Sequence, residues 1–205
     1  MGQKTTIRYD TTDRHLKKYS NRNPIHRFTL CRFFDAVAED VKDINPAQVL
    51  EFGCGEGLFL HELKKRGILF KHLIGIDLRH DALRHAKSLH PEYEFVEGNL
   101  LTWDYPGEGF DLVIASQVLE HLFNPEDFLN RLLLFSRKYL ILTVPWEPWF
   151  RTMNLLRGRD ILRLGNHPEH INLWSPGQFK DFVSKSVHIE NAYTVFPFIV
   201  IKARI

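Results

Sequence analysis

The sequence predicts an α/β fold: a doubly wound, mainly parallel sheet with helices on both faces. Three observations predict it. Short β-rich apolar runs alternate with amphipathic segments between residues 48 and 144, the first run stops at a glycine cluster that opens a helix, and the last stretch places two β-rich runs together with no helical segment between them. Crossovers in such a sheet are right-handed, and ligands bind beyond the C-terminal ends of the strands. Each loop that follows a strand is therefore a candidate site.

The elements follow in order. Polar residues up to Pro24 lead into RFTLCRFFDAVAEDV, where Leu30, Phe34, Val37 and Val41 recur at helical spacing and offer one apolar face to the sheet. QVLEF is the first strand, GLFLHELKKRG a helix closed by Gly67, and HLIGIDL the second strand. RHDALRHAKSLH reads as helix, YEFVEGN and FDLVIAS as strands, PEDFLNRLLLFS as helix and KYLILTV as strand. SPGQFKDFVSK opens with a capping signal, Ser175 followed by Pro176 and Gln178. SVHIENAYTVFPFIVIKARI then supplies two strands that pair as an antiparallel hairpin at the sheet edge.

A chain of 205 residues suits a single domain over 1–205, and 44% hydrophobic with 25% charged residues is an ordinary globular balance. The net charge is +2 with the basic residues dispersed, which leaves no electrostatic footprint for nucleic acid. Cys31 and Cys54 stand in unlike contexts, one on a helix and one in the glycine turn, so a disulfide framework is not expected. The N-terminus lacks a signal-peptide core, and no run approaches the ~18 apolar residues of a membrane span. The expectation is a cytoplasmic protein with no stable membrane insertion; nothing in the sequence speaks to its oligomeric state.

The stretch VLEFGCGEG carries Gly53, Gly55 and Gly57, which accept φ > 0 and let a ligand approach the backbone. The dinucleotide fingerprint wants another glycine where Leu58 stands, and Glu56 sets a negative charge where a pyrophosphate docks. An NAD(P)-dependent oxidoreductase is thus the weaker enzyme reading. An adenosine ligand bearing a cation suits the turn better, because Glu51 attracts an ammonium or sulfonium; S-adenosylmethionine has both. Asp77 ends the second strand and can accept from both ribose hydroxyls, with Leu78 beside it. In VEGNL, Asn99 can read the adenine edge and Leu100 can pack on the ring, while Ser116 and Gln117 end the fourth strand at the same rim. Cys54, within the turn, is expected as a small buried residue and not a nucleophile.

With LEFGCGEG as first motif, GIDL as the second acidic strand, EGNL as the adenine strand and FDLVIASQVLEHL as the fourth, the chain resembles the class I S-adenosylmethionine-dependent methyltransferases of small-molecule type. The resemblance covers roughly residues 45 to 145 together with the closing hairpin. It implies a Rossmann-like, seven-stranded sheet of order 3-2-1-4-5-7-6 with the last strand antiparallel, and S-adenosyl-L-methionine as methyl donor. The family commonly has Asp where this chain has Asn99. The coenzyme Q methyltransferases, which the fourth segment resembles, carry Glu-x-x-Glu-His there and are associated with a divalent metal; Gln117 replaces the first glutamate, so no metal is expected. The Asn/Asp-Pro-Pro-aromatic turn of nucleic-acid amino methyltransferases is absent from ASQVLEH, and a small-molecule acceptor is expected in place of nucleic acid.

Methyl transfer asks the protein to align a nucleophile with the sulfonium methyl and to exclude water, and a base is needed only for a protonated nucleophile. Gln117, Glu120 and His121 stand at i, i+3 and i+4 and share one face if the segment is helical. His121 is the base candidate; a structural histidine bonded to a loop or carboxylate is an equal reading. Between the fifth strand and SPGQFKDFVSK lies an insertion, residues 145–174, expected as a lid. It offers Trp146, Trp149, Arg151 and His167 as acceptor contacts and His170 as a second catalytic candidate that approaches the acceptor, although any single aromatic there reads more readily as an anchor. Residues 1–26 are expected to cover the cofactor from the other side. A non-catalytic, methyltransferase-like binding or scaffold protein remains the alternative from another class.

Overall fold

Side chains alternate across the first strand, and that alternation determines how the molecule is layered. A computed structural model describes residues 24–99, 101–146 and 171–205. In chain order its elements are α1 (Pro24–Ile44), β1 (Gln48–Phe52), α2 (Leu58–Lys65), β2 (His72–Asp77), α3 (His80–Leu89), β3 (Glu94–Glu97), β4 (Phe110–Ser116), α4 (Pro125–Phe135), β5 (Ser136–Pro145), α5 (Pro176–Ser184), β6 (His188–Val195) and β7 (Phe198–Arg204). On β1, Val49 faces α1 and α2, where it packs with Phe34, Val37 and Leu63. Leu50 and Phe52 face the other way and pack with Phe128, Leu129 and Leu132 of α4 and Phe179 of α5. Both faces of β1 and β4 are covered, and so both strands are buried almost continuously rather than at alternate residues, Glu51 and Asp111 included.

The strands form one sheet of order β3-β2-β1-β4-β5-β7-β6. β1 pairs parallel with β2 and β4, β2 with β3, and β4 with β5, whereas β7 runs antiparallel to both β5 and β6. This is the predicted seven-stranded order, with the last strand reversed. The strand order changes direction at β1, so the crevice beyond β1 and β4 is where a ligand fits. No helix among the described residues is long and apolar enough to cross a membrane.

Helix α1 is longer than its periodicity indicated. It starts at Pro24, whose missing N–H costs nothing in a first helical turn, and stops where Asn45 turns left-handed (φ 47) and donates its N–H to Val41 O at 3.0 Å. Tyr193 of β6 donates to Asp40 Oδ2 at 2.6 Å and Lys202 of β7 pairs with Asp43, which holds the end of α1 against the hairpin. Its middle lies over the start of β7, with the Phe33 and Phe198 rings 4.5 Å apart.

At the opposite end of the sheet Asp111 ties three strands together. Its carboxylate accepts from the Ala47 and Gln48 N–H groups at 3.0 and 3.2 Å, and from Arg137 and Lys138 at 3.2 and 2.9 Å. The Lys138 bond foremost, helped by those two N–H groups and Arg137, holds this carboxyl at about 2 in spite of its burial. A carboxylate whose folded pKa is depressed contributes stability above its unfolded value of 3.8 and loses it as the pH falls through about 2. Urea unfolding of Asp111→Asn is therefore expected to show a loss of about 2 kcal/mol at neutral pH, with the gap to wild type narrowing as the pH falls below the unfolded value. A constant gap over that range is the contrary result.

Candidate functional site

The turn after β1 needs glycine for two separate reasons. Gly53 and Gly55 take φ 72 and 53, a region costly for other residues, and a Cβ on Gly53 would lie 2.5 Å from Val118 Cγ2. The turn's donors point inward. The Gly53 and Cys54 N–H groups both donate to Ile76 O, at 2.8 and 3.1 Å, and Gly57 N–H donates to Cys54 O at 3.0 Å. Gly55 N–H donates to Asp77 Oδ2 at 2.8 Å. A pyrophosphate site needs such N–H groups for its ligand, and here they already have acceptors. Against a dinucleotide, this is the stronger ground. The ground offered by Glu56 alone needs correction, because Arg79 Nη2 donates to Glu56 Oε1 at 2.9 Å and neutralises it.

Two further carboxylates flank the turn. Glu51 is 2% exposed, and its Oε2 is buried without a hydrogen-bond partner among the described residues. Burial first, and then the charge of Asp77, push this carboxyl up to about 8. Asp77 accepts Gly55 N–H on Oδ2 and Arg79 N–H on Oδ1, the latter at 2.9 Å, so one lone pair on each oxygen stays available. Leu78 follows as an apolar ledge, 43% exposed. Cys54 is buried, and burial together with Glu51 and Asp77 raises its thiol well above the usual range, which suits packing and not nucleophilic attack. A buried acid with one oxygen unpartnered among the described residues, a carboxylate with two adjacent free acceptor positions and a glycine-rich turn fit a ligand that combines a cation with a ribose diol.

The fourth strand ends in a tight corner. Gln117 is left-handed (φ 60), its N–H donates to Thr143 O at 2.9 Å, and its amide lies 3.3 Å from Thr143 Oγ1, which also bonds Ser116 Oγ at 2.8 Å. The common helix face expected for Gln117, Glu120 and His121 does not form. Leu119–His121 is a single 3₁₀ turn, Leu122 is extended, and Pro125 already opens α4. Gln117, outside that turn, is directed to β5 instead. His121 lies with Nε2 3.8 Å from Glu120 Oε1, its side chain 35% exposed and that of Glu120 buried. Across β5, Trp146 donates its N–H to Pro197 O at 2.9 Å and sets its ring edge-on to Phe196.

Asn99 is placed at the end of β3, where its Oδ1 accepts Leu101 N–H at 3.0 Å and caps a turn. One lone pair of that oxygen and the amide N–H groups are left for a ligand. Leu100, Trp149, Arg151, His167 and His170 lie outside the described residues. Among the described residues no group of three His, Cys, Asp or Glu side chains converges on a point where a metal ion could sit.

Three residues that sequence reasoning missed support the site: Arg79, Thr143 and Asn172. The last holds the His121 turn from outside. Its Nδ2 donates to Leu119 O and Leu122 O at 3.0 and 2.6 Å, and the N–H groups of Ile171 and Asn172 both reach Glu120 O, at 2.8 and 3.0 Å. The one available signal was its position directly after the insertion. Asn172→Ala removes the partner of two carbonyls, and chemical denaturation is expected to register a loss of about 1–3 kcal/mol. Gly53→Ala is expected to cost a similar amount, about 1–3 kcal/mol, and adding Val118→Ala recovers only the steric part because φ stays unfavourable. Full recovery in that double variant would mean the conformation is not strained.

Comparison with known proteins agrees with this arrangement. The family model described as a methyltransferase domain matches residues 24–186. A probable S-adenosylmethionine-dependent methyltransferase of Mycobacterium tuberculosis is 32% identical over 82 residues, 40% of this chain and 29% of that protein. Ajmaline N-methyltransferase of Rauvolfia serpentina is 32% identical over 119 residues, 52% of this chain and 40% of that enzyme. The chain thus spans less than half the length of these curated relatives. Among solved structures, magnesium protoporphyrin IX methyltransferase from Synechocystis PCC 6803, with S-adenosylhomocysteine bound, superposes with a TM-score of 0.70 at 17% identity, covering 94% of this chain and 93% of the other. The match over residues 24–186, on a sheet of the predicted order with a bare turn at its switch point, makes this chain a member of the methyltransferase domain family.

Proposed function

We propose that the chain, as a single domain, transfers a methyl group from S-adenosyl-L-methionine to an oxygen or nitrogen of a small-molecule acceptor. The observation that carries this reading is the buried Glu51 oxygen without a partner among the described residues, at the foot of a turn whose glycine N–H groups are bonded internally. Such a site calls for a cation and offers nothing to a phosphate. The names of the matched proteins support the same cofactor, and those of ajmaline N-methyltransferase and magnesium protoporphyrin IX methyltransferase support a small-molecule acceptor.

When bound, the cofactor supplies an electrophilic methyl on a positively charged sulfur. Glu51 gives up its proton and pairs with the ammonium, Asp77 accepts from the ribose hydroxyls, and Leu78 with Asn99 borders the adenine. Gly53 and Gly55 let the backbone come close. Ser116 and Gln117, fastened to Thr143, form the floor between cofactor and acceptor. His121 takes the proton of an acceptor hydroxyl or amine, with Glu120 beside it to steady the imidazolium. Residues 145–174 close over the acceptor and exclude water, with Trp146, Trp149, Arg151, His167 and His170 as contacts, and residues 1–26 cover the cofactor.

Glu51 makes the cofactor reading testable without knowing the acceptor. With a folded pKa near 8 against 4.5 when unfolded, it holds a proton at neutral pH that the unfolded chain has released. The ligand-free fold is therefore expected to lose stability as the pH rises from 4.5 towards 8, and Glu51→Gln to flatten that slope. Calorimetric titration of S-adenosylhomocysteine at neutral pH, in buffers of different ionisation enthalpy, should report release of about one proton in wild type and none in Glu51→Gln. Absence of any binding would end the cofactor assignment. For the chemistry, formation of S-adenosylhomocysteine is measured with phenols, carboxylic acids, amines and sugars. His121→Ala is expected to lower kcat by about 10²–10⁴-fold for acceptors that must lose a proton, and unchanged turnover removes His121 as base.

A further inference from the structure

Between the first turns of α1 and the tip of the β6–β7 hairpin lies a groove of about 390 Å³, lined by Phe28, Thr29, Arg32, Thr194, Val195 and Phe196. That volume is within the range of small-molecule sites. Its walls are apolar, with the Phe28 ring 62% exposed, while one guanidinium and two threonines supply the polar groups. No acidic residue occurs from Pro24 to Phe34. Among the described residues Arg32 has no ion-pair partner: Asp35, the first acid along the helix, is taken by Arg66 at 2.7 Å, and the Arg32 guanidinium lies over the Phe28 ring, 6.0 Å from its centroid. An arginine of this kind beside apolar walls suits an anion that carries an apolar body.

The groove shares a rim with the candidate site. β7 begins where β5 ends, with Phe198 opposite Pro145, and Trp146 donates its N–H to Pro197 O and meets the Phe196 ring edge-on. β5 in turn lies beside β4, where Thr143 is opposite Ser116. From the end of β4 to the hairpin tip is therefore two or three inter-strand spacings, roughly 10–14 Å. On the α1 side the rings of Phe198, Phe33, Phe34 and Phe59 follow one another at 4.5, 5.0 and 5.6 Å, and Phe59 is the second residue of the helix that the glycine turn opens. One packed layer thus joins the groove to the cofactor turn.

We propose that this groove is the distal subsite for the methyl acceptor and that the acceptor is an extended aryl carboxylate: Arg32 pairs with the carboxylate, Phe28 and Phe196 border the ring that bears it, and the hydroxyl or amine to be methylated reaches the end of β4. This rests on the methyl transfer proposed above. A rigid aromatic body suits both the phenyl walls and the span, because little conformational freedom is lost in holding its two ends apart. The carboxylate takes no part in the chemistry. At the far end the bond from sulfur to methyl breaks as the bond from methyl to oxygen or nitrogen forms, the acceptor proton passes to His121, and S-adenosylhomocysteine leaves.

The test uses the full chain saturated with S-adenosylhomocysteine, and 4′-hydroxybiphenyl-4-carboxylate and its carboxamide as probes in NMR titrations. The acid is expected to shift the backbone signals of Arg32, Val195 and Phe196 and to bind about fivefold more tightly than the carboxamide, between the worth of an exposed ion pair and that of a desolvated bidentate one. Arg32→Gln should bring that preference below about twofold, whereas Arg27→Gln, exposed on the same half of α1 but outside the groove, should leave it in place. With S-adenosyl-L-methionine as donor, Arg32→Gln is expected to raise KM for the acid by about fivefold at unchanged kcat and to leave KM for 4-hydroxybenzoate, too short to span the rim, as it was. Both arginines are exposed, so neither substitution disturbs the core. Equal affinity for acid and carboxamide, a preference that survives Arg32→Gln or falls as far in Arg27→Gln, shifts confined to other surfaces, or a loss in kcat in place of KM overturns the proposal. So do groove signals that move with protein concentration alone, which would put a second copy of the chain there. A protein that binds no S-adenosylhomocysteine and methylates no acceptor defeats the methyl-transfer reading itself, whereas one that methylates uncharged phenols and ignores the acid defeats this proposal alone.

Discussion

The hydrogen bond from Gly55 N–H to Asp77, with the paired bonds from Gly53 and Cys54 to Ile76 O, is the constraint on which the site depends. A turn that must admit a ligand cannot be braced by side chains on its open side, and a loose turn has no defined shape. Here the bracing comes from behind, from the penultimate carbonyl and the terminal carboxylate of β2, its neighbour in the sheet. The parallel β1–β2 register puts Phe52 beside Ile76, so the next residues of both strands meet at the same height. Sheet topology and ligand site are thus one feature: the crevice exists because the order reverses at β1, and the turn is rigid because β2 lies alongside it.

This construction also sets the sign of the ligand. Inward-pointing N–H groups are the common means of holding an anion at a strand-to-helix turn, and engaging them internally withdraws that means. What faces the ligand instead are carboxylates, of which one, Glu51, is buried with an oxygen left unpartnered among the described residues, and one, Glu56, is cancelled by Arg79. A polar atom left unsatisfied in a low-dielectric site is costly unless a ligand completes it. The same residues that weaken the ligand-free fold are therefore those that favour a cation.

The strands and the principal acids were legible in the sequence because each rests on local pattern, β-branched runs, a glycine triplet, an acid near the end of QVLEF and one at the end of HLIGID, whereas the strand order followed only from the family resemblance. Features that need a distant partner were not. Arg79 meets Glu56 at a separation of 23 residues, and Asn172 meets Leu119 at 53, and nothing in LRHD or HINLW announces either contact. Periodicity also misled where it assumed one helix type. Gln117, Glu120 and His121 have helical spacing, but a left-handed Gln117 and the nearby Pro125 leave space for one 3₁₀ turn only. Asn99 was read by its hydrogen-bonding capacity, without the competing local use that Asn so often finds in a turn.

A turn of three residues cannot hold its own shape, since one or two i→i+3 bonds do not repay the ordering of the backbone. The His121 turn is nevertheless fixed, because it is held at both ends by other parts of the chain. From the sheet side Thr143 accepts the Gln117 N–H and lies against the Ser116 and Gln117 side chains, and from the outer side Ile171 and Asn172 satisfy the carbonyls of Leu119, Glu120 and Leu122. Those outer residues are the ones by which the chain returns from the insertion after β5 to α5. The position of His121 consequently depends on how that return is docked, and any substitution that shifts the docking moves His121 without touching the turn itself.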